Sequence, residues 1–300
     1  MSYTVVIGSA NVDISLTLNQ AIIWRDSNIG SIRLSAGGVG RNIAENLARI
    51  GIRTHFITPL GDEVDAKLLR DSCTSNNVML HPIKDETTTT SKYAALFDEQ
   101  KDMLVGVADT LSVETLDKEA FKPMEALIRK ADRLVLETNL SASTLSYLAT
   151  LNDKVYINAI STTKAKRIEP LYNLIHTLSL NRLEAEALTN RKIDASNISD
   201  IRDFFTEKGV NSIIMTMGKE GAYLMDRKSI RKQSSRKTDV TNTSGAGDAF
   251  FAGYIYGMQK DTDPLVSASA LASITLESES TVHQTLNEHK LKKRIEAFNL

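Results

Sequence analysis

Short apolar runs alternate along this chain with segments whose apolar residues recur at helical spacing. The runs are apolar at successive positions, which is typical of strands buried on both faces of a sheet. The segments between them carry apolar residues every three or four positions, as one face of an amphipathic helix does. This alternation predicts an α/β fold with a central, mostly parallel sheet flanked by helices on both faces. The predicted strands lie at 5–7, 55–57, 134–136, 155–157 and 212–215, and the predicted helices at 42–50, 63–75, 117–130, 143–151 and 199–208.

Two segments, 14–34 and 88–107, break the alternation because apolar and polar residues alternate within them. In the second, residues 93–97 and 103–105 flank a polar run at 98–102, which predicts a β-hairpin. Half-buried strands inserted in an α/β chain predict a small sheet that projects from the main one. We expect residues 1–300 to form a single domain in which these two segments form a lid. A dimer contact or a structural decoration would give the same pattern.

Composition and charge exclude several classes of function. Lys and Arg number 36 and Asp and Glu number 37, so the net charge of −1 argues against binding to a nucleic-acid polymer. The single cysteine, Cys73, excludes an intrachain disulfide and a thiolate metal cluster, and the 5 histidines are scattered without metal-binding spacing. We find neither a signal-peptide pattern nor the roughly 18 consecutive apolar residues of a membrane span. We therefore expect a cytoplasmic, soluble protein without a membrane partner.

The most informative segment, 242–248, reads Asn-Thr-Ser-Gly-Ala-Gly-Asp and continues into an apolar pattern at helical spacing. It predicts a loop that leads into a helix N-terminus, where the N–H groups of Gly245, Ala246 and Gly247 favour an anion such as phosphate. A carboxylate repels phosphate, so Asp248 suits a different role, in which it takes a proton from the group that attacks the phosphate. An acidic helix cap is the structural alternative. The segment as a whole favours phosphoryl transfer.

Polar residues also follow the predicted strands at the edge where open α/β sheets bind ligands. Asn11 and Asp13 come just after the first strand, and an amide with a carboxylate can hold sugar hydroxyls, which both donate and accept. An Asx turn is the alternative interpretation. Glu137 ends the strand at 134–136 and occupies the same edge, where a solvated loop acid would give the same signal.

A glycine-rich loop at 36–42 opens a predicted helix and contains Gly38, Val39 and Asn42. It lacks the third glycine of a dinucleotide fingerprint, and the chain has no P-loop motif. Arg41 could reach substrate or phosphate, but we expect it to be an exposed arginine at the helix start.

Two later motifs each have a plain structural interpretation. Asn181 and Glu184 are three residues apart and share a helix face, although a capping box has the identical sequence signal. Thr216, Gly218 and Gly221 follow the strand at 212–215, where a hairpin turn without a ligand is the plain alternative.

Taken in order, these segments resemble the signatures of the ribokinase-like (PfkB) carbohydrate and nucleoside kinases, and the resemblance extends over the full chain. The matching signatures are Asn-x-Asp, Gly-Gly-x-Gly-x-Asn, Asn-x-x-Glu, Thr-x-Gly-x-x-Gly and Asp-Thr-Thr-Gly-Ala-Gly-Asp. The resemblance implies a ribokinase-like fold with a small β lid. It also implies transfer of the γ-phosphoryl of ATP to a hydroxyl, with Asp248 as the general base and the N–H groups of Gly245 to Asp248 as the anion hole.

The resemblance assigns further roles to individual residues. It implies a substrate site made of Asn11, Asp13, Gly38, Val39, Asn42, Glu137 and Asp248. It implies ATP contacts by Asn181, Thr216, Gly218, Gly221, Gly245 and Gly247, and Mg²⁺ ordered through water by Glu184. Asn242 stands where most relatives carry an aspartate beside a monovalent cation, so K⁺ would have a neutral ligand here. A homodimer formed through the lid is also expected.

A narrower likeness is to the pseudouridine kinases of this family, which phosphorylate the 5′-hydroxyl of a C-nucleoside with ATP. The likeness rests on the segments 26–30, 37–44, 176–178, 181–186 and 240–245. A ribokinase or another sugar or nucleoside kinase of the family is the alternative, because its sugar-site residues would look much the same. A non-catalytic nucleoside-sensing protein is a further alternative, against which the intact Gly-Ala-Gly-Asp argues.

Overall fold

The computed structural model of the protein describes residues 2–84 and 88–299. The strands in this part of the chain are β1 Thr4–Ile7, β2 Asn11–Leu18, β3 Gly30–Gly37, β4 Thr54–Pro59, β5 Met79–Ile83, β6 Ser91–Phe97, β7 Met103–Asp109, β8 Arg133–Glu137, β9 Val155–Asn158, β10 Ile175–Asn181, β11 Ser212–Thr216, β12 Ala222–Asp226 and β13 Ile230–Gln233. The α-helices are α1 Val39–Arg49, α2 Ala66–Ser75, α3 Leu111–Glu114, α4 Glu125–Arg129, α5 Ala142–Ala149, α6 Thr162–Ala165, α7 Arg182–Thr189, α8 Ile198–Glu207, α9 Ala246–Lys260, α10 Pro264–Leu276 and α11 Glu288–Asn299.

The described residues form a nine-stranded sheet in the order β13-β12-β11-β10-β9-β8-β1-β4-β5. The seven strands β5, β4, β1, β8, β9, β10 and β11 pair with one another in parallel, whereas β12 and β13 are antiparallel additions at one edge. The predicted α/β architecture with a mostly parallel sheet is therefore confirmed. The carboxyl ends of β1, β8, β9, β10 and β11 meet along one edge of the sheet, which is where open α/β folds bind ligands.

Helices cover both faces of this sheet because successive strand residues point to opposite sides. Val5 and Ile7 of β1 belong to a buried cluster that includes Phe205 of α8, while Val6 belongs to the opposite cluster with Phe251 of α9. The first cluster also takes in α5, and the second takes in α1, α10 and α11. Among the described residues, no helix combines the length and the apolar character that a membrane span requires.

A second sheet of four strands, in the order β3-β2-β6-β7, comes from the two segments that break the alternation. We call it the small sheet. Its β6–β7 turn is the predicted polar hairpin, in which the Asp98 carboxylate accepts the N–H groups of Gln100 (3.0 Å) and Asp102 (2.8 Å). Strand β2 begins at Asn11, earlier than the pattern predicts. Asn11 and Asp13 are thus part of the small sheet, and the alternative of an Asx turn is wrong.

Three of the predicted helices need correction. The helix predicted at 117–130 is a 3₁₀ segment, Lys118–Met124, followed by the short α4, and Pro123 lies inside the 3₁₀ segment. Proline lacks an N–H donor and clashes with the preceding turn, so a continuous α-helix is not possible there. The helix predicted from residue 63 begins at Ala66, and the one predicted from residue 42 begins at Val39.

Candidate active site

Helix α9 begins directly after Gly245, whose backbone is left-handed (φ 79°). A Cβ at this position would collide with the carbonyl oxygen of Thr281, so only glycine fits the turn. Within the described part of the chain, the N–H groups of Gly247 and Asp248 have no hydrogen-bond acceptor. Apart from its two chain neighbours and the backbone of its own helix, no described atom lies within 4 Å of where a Cβ on Gly247 would be. The predicted anion-binding helix start is thus open to a ligand.

The Asp248 carboxylate lies in the first turn of α9 and is only 8% exposed. The Asn42 amide donates to its Oδ2 at 2.8 Å, and the Asn158 amide donates to its Oδ1 at 3.4 Å. Burial raises the pKa of Asp248 to about 7, while the Asn42 hydrogen bond lowers it and the nearby Glu137 raises it. A carboxylate with a pKa near neutrality can accept a proton at working pH and release it again, as a general base must.

The glycine-rich loop packs against the segment between β1 and β2. Gly38 has a positive φ of 97°, and a Cβ there would be 2.5 Å from the Ser9 carbonyl oxygen and 2.9 Å from Asn11 Oδ1. Asn11 donates to Asp13. Burial raises the pKa of Asp13 to about 6, against the lowering effects of Arg41 and of the Asn11 hydrogen bond. The structure therefore brings the predicted sugar-binding residues together beside Asn42, with Val39 half-buried at the start of the same helix.

Arg41 is 3% exposed, so the expectation of an exposed helix-start arginine is wrong. Its guanidinium forms an ion pair with Glu45 and donates to the Gly37 carbonyl oxygen at 3.0 Å. It also donates to Asn42 Oδ1, which accepts a second hydrogen bond from the Thr281 hydroxyl at 3.0 Å.

Glu137 is fully buried at the end of β8. Its two oxygens accept the backbone N–H groups of Ser9 and Asn139, each at 2.6 Å, and burial raises its pKa. The alternative of a solvated loop acid is wrong. These contacts favour a role in which Glu137 holds the β1–β2 segment, over the direct substrate contact that its strand-end position predicts.

Asn181 and Glu184 form a complete capping box at the start of α7, which is the structural alternative given for this motif in the sequence analysis. Glu184 is also buried, and burial raises its pKa to about 7 while the bonds from Asn181 lower it. Its charge contributes to the raised pKa of Asp248, so it lies within electrostatic reach of the base. One carboxylate can cap the helix and still accept a hydrogen bond from a water molecule.

Thr216 ends β11 and is the register partner of Asn181 on β10, so these two nucleotide candidates lie side by side at the sheet edge. Apart from its two chain neighbours, Gly218 (φ 58°) has no described atom within 4 Å of where its Cβ would be, whereas a Cβ on Gly221 (φ 100°) would collide with the Gln233 carbonyl oxygen. The turn therefore needs glycine at 221 for its backbone, and it leaves an open surface at 218.

Asn242 is half-buried in the loop before α9. Its Nδ2 donates to the Glu279 carbonyl oxygen at 2.9 Å, and its Oδ1 accepts the Ser244 N–H at 2.9 Å. An amide oxygen has two lone pairs, so one remains for a cation such as K⁺. Across residues 2–84 and 88–299, no three His, Cys, Asp or Glu side chains converge to hold a metal ion directly.

Two residues that contact this site carry no prediction from the sequence. Asn158 is the last residue of β9 and the register partner of Glu137, so the strand-end argument that singled out Glu137 applies to it equally. Thr281 lies in a polar segment after α10, and no motif marks it. It reaches the site only because the loop after α10 folds back, with the Leu276 carbonyl oxygen accepting the Thr241 N–H at 2.8 Å.

A buried carboxylate under an open helix N-terminus, at the ligand edge of a parallel sheet, is the arrangement that we expect of an α/β phosphotransferase. Comparison with known proteins makes the assignment definite: the chain belongs to the pfkB family of carbohydrate kinases, whose profile matches residues 1–288. It is thus a phosphotransferase that acts on a hydroxyl group, within a family of sugar and nucleoside kinases.

Individual relatives agree with this assignment. The chain is 31% identical over 258 residues to the pseudouridine kinase of Escherichia coli, a match that covers 84% of this chain and 82% of that protein. A carbohydrate kinase from Agrobacterium tumefaciens superposes with a TM-score of 0.87 at 24% identity, covering 99% of this chain and 97% of the other. Arabidopsis thaliana ribokinase, solved with ribose and ATP, has a TM-score of 0.84 at 20% identity, and the match covers 98% of this chain and 99% of the other. The ribokinase-like fold is confirmed, and kinases of this fold use ATP.

Proposed function

We propose that this protein is a pseudouridine kinase, which transfers the γ-phosphoryl of ATP to the 5′-hydroxyl of pseudouridine and yields pseudouridine 5′-phosphate. The observation that carries the proposal is the buried Asp248 carboxylate, held by two amides beneath the free N–H groups of α9. The choice of substrate is supported by the 31% identity to a pseudouridine kinase and by the likeness of the segments 26–30 and 37–44.

In the proposed mechanism the substrate hydroxyl approaches Asp248 and attacks the γ-phosphorus in line. The new P–O bond forms as the bond to the β–γ bridging oxygen breaks, and ADP takes the bond's electron pair. The hydroxyl proton passes late to Asp248, because an alcohol is far less acidic than a carboxylic acid until attack is under way. The N–H groups from Gly245 to Asp248 would stabilise the charge on the transferring group. Those of Gly247 and Asp248 are free to do so, whereas that of Ala246 would first leave its 3.4 Å hydrogen bond to the Thr243 carbonyl oxygen.

Asn11, Asp13, Gly38 and Asn42 would hold the ribose so that its 5′-oxygen points at Asp248. Mg²⁺ would be held mainly by the nucleotide phosphates and by water, with Glu184 as a hydrogen-bond acceptor for that water, and it would neutralise phosphate charge. This fits the donor set, since the described residues offer no cluster for direct ligation. Asn242 Oδ1 would contribute one neutral ligand to K⁺.

The small sheet has two proposed roles. As a lid it would cover the nucleobase and exclude water, which limits wasteful hydrolysis of ATP.

As an interface it would pair with the same sheet of a second copy. The second proposal is supported by its exposed apolar side chains, because two identical apolar faces can bury each other about a two-fold axis. These side chains include Ile32 (72% exposed), Leu34 (53%), Met103 (58%), Val105 (52%) and Val107 (64%).

The substrate is tested by steady-state kinetics over pseudouridine, uridine, guanosine, inosine, ribose and fructose, with ³¹P NMR of the product. We expect kcat/KM for pseudouridine to exceed that for ribose by roughly 10²–10⁴, because a free sugar leaves the groups that bind the base unpaired. It should also exceed that for uridine if the site binds the N–H that the C-glycosidic link frees. Equal turnover of ribose would make this a general sugar kinase, and nucleoside binding without turnover would make it a sensor.

The base is tested by Asp248→Asn. We expect kcat to fall by roughly 10²–10⁴, because a neutral amide cannot take the hydroxyl proton. Isothermal titration should show ATP and pseudouridine still binding. The matched control is Asp261→Asn, the same change at the exposed far end of the same helix, which should keep wild-type kcat. Retention of more than half the activity in Asp248→Asn would remove Asp248 from the base role.

A further inference from the structure

We propose that Arg41 and Thr281 are positioning residues: together they fix the orientation of the Asn42 amide, so that it donates to Asp248 and keeps the base ionised. This inference rests on the proposed role of Asp248 as the general base. The sequence predicts no role for Thr281, and it predicts an exposed position for Arg41, which is in fact buried.

The orientation of an amide follows from the groups on its two sides. Asn42 Oδ1 accepts from the Arg41 guanidinium and from the Thr281 hydroxyl (3.0 Å), while Asn42 Nδ2 donates to Asp248 Oδ2 (2.8 Å). A flipped amide would place its NH₂ group against a guanidinium that only donates and its oxygen against a carboxylate that only accepts. Both contacts would then be repulsive, so Arg41 and Asp248 together permit one orientation.

Arg41 is itself held in place by its other bonds. Its Nη1 pairs with Glu45, its Nε donates to the Gly37 carbonyl oxygen (3.0 Å), and its Nη2 also donates to Thr281 Oγ1 (3.2 Å). Each guanidinium nitrogen therefore has an acceptor within the protein. Because the side chain is 3% exposed, this arrangement suits a fixed internal positive charge better than a phosphate ligand.

The charges around Asp248 explain why this positioning affects catalysis. Arg41 of α1 lowers the pKa of Asp248, as does the Asn42 hydrogen bond, whereas Glu137 of β8 and Glu184 of α7 raise it. Of these three charged groups only Arg41 lowers the pKa of Asp248. We therefore expect that removing Arg41 raises this pKa, so that a smaller fraction of the protein carries an ionised base at neutral pH.

The test measures the pH profile of kcat/KM for the best acceptor in the full-length enzyme. The wild-type profile should have an acid limb near neutral pH, where kcat/KM falls as the pH is lowered. Arg41→Met should move this limb upward by about one pH unit, which is about tenfold in kcat/KM on the acid side, with recovery at higher pH. Thr281→Val, which removes one hydroxyl at constant shape, should move it by about half a unit, and Thr281→Ser should restore it.

Arg49→Met is the matched control. Arg49 pairs with the same Glu45 (2.8 Å) and donates to the Gln284 carbonyl oxygen, but it has no bond to Asn42. It should leave the limb where wild type has it. Thermal melts establish whether each variant is folded. If Arg41→Met does not fold, Thr281→Val provides the test.

Two outcomes separate this inference from the proposed function. If Asp248→Asn abolishes the limb while Thr281→Val and Arg41→Met leave it at the wild-type pH, the positioning role is overturned and the base assignment stands. If Asp248→Asn retains both activity and limb, the two proposals fall together.

Discussion

At the scale of single residues, Asn242 and Asp248 are close in sequence but differ in their environments. Asn242 is half-buried in the loop before α9 and bonded to backbone groups, whereas Asp248 is buried in the first turn of α9, with its charge close to Glu137 and Glu184. Burial raises the pKa of a carboxylate, whereas a partly exposed amide keeps a lone pair that an ion from solvent can reach. The two residues therefore require different experiments.

We predict that K⁺ raises the activity in a Na⁺-free buffer and that Asn242→Asp strengthens the response. The wild-type amide offers one neutral lone pair, because Oδ1 already accepts the Ser244 N–H. A carboxylate adds a full charge at the same position. Rates are measured from 0 to saturating KCl, with Asn287→Asp, the same change at an exposed asparagine, as the control. Identical rates with and without K⁺ in both proteins would exclude the cation from the mechanism.

The individual site residues were only partly predictable from the sequence. Asn42 and Asp248 each stand out by a local glycine motif, and the structure joins them although they lie 206 positions apart. The roles of Arg41 and Thr281 depend on contacts between segments that are distant in sequence. The pKa of Asp248 depends on burial, which no local pattern contains. The sequence thus marks candidates for the chemistry, but the fold determines their charge state.

At the scale of elements, a strand can be predicted from the sequence when it consists of a continuous apolar run. The five predicted strands, all buried on both faces, lie where the continuous apolar runs predict them. Strand β5 has a weak signal because it lies at an edge of the sheet and contains Pro82, which edges tolerate. Strand β10 contains His176, Thr177 and Ser179 among its apolar residues, and so lacks a continuous apolar run.

The small sheet supports a prediction at this scale: the protein forms a homodimer that Val105→Glu/Val107→Glu dissociates. Both valines lie on the edge strand β7, which is exposed along its whole length, and carboxylates buried at an apolar interface cost free energy. Sedimentation equilibrium should show the dimer dissociation constant rising by at least about tenfold. Val64→Glu, at a 93% exposed site outside the sheet, should leave it unchanged. A wild-type monomer at every concentration would contradict the proposed interface.

At the scale of the whole molecule, the architecture concentrates buried acids at one sheet edge. Burial raises the pKa of Asp248 and Glu184 to about 7 and that of Asp13 to about 6, and it also raises the pKa of Glu137. Burial excludes water from Glu137 (0% exposed), Glu184 (3%) and Asp248 (8%). The same exclusion costs stability whenever these groups ionise, because a buried charge is less well solvated than one in the unfolded chain.

The resulting prediction is that the free energy of unfolding falls as pH rises. Asp248 has a pKa of about 7 when folded against an ordinary value of 3.8, so between these values the folded protein keeps a proton that the unfolded chain has lost. Each such group lowers the free energy of unfolding by up to about 1.4 kcal/mol per pH unit in its window. The loss is complete above about pH 7, and coupling among the acids spreads it over a wider range.

Urea denaturation of wild type and Asp248→Asn at about pH 5, 6.5 and 8 measures this effect. We expect Asp248→Asn to be the more stable protein at about pH 8, because its amide cannot ionise, with the difference shrinking as pH falls toward about 4. Asp261→Asn, at the exposed end of α9, should follow wild type at every pH. A stability difference of the same size at all three pH values would mean that Asp248 does not carry the buried charge, and the proton-accepting state proposed for it would lose its physical basis.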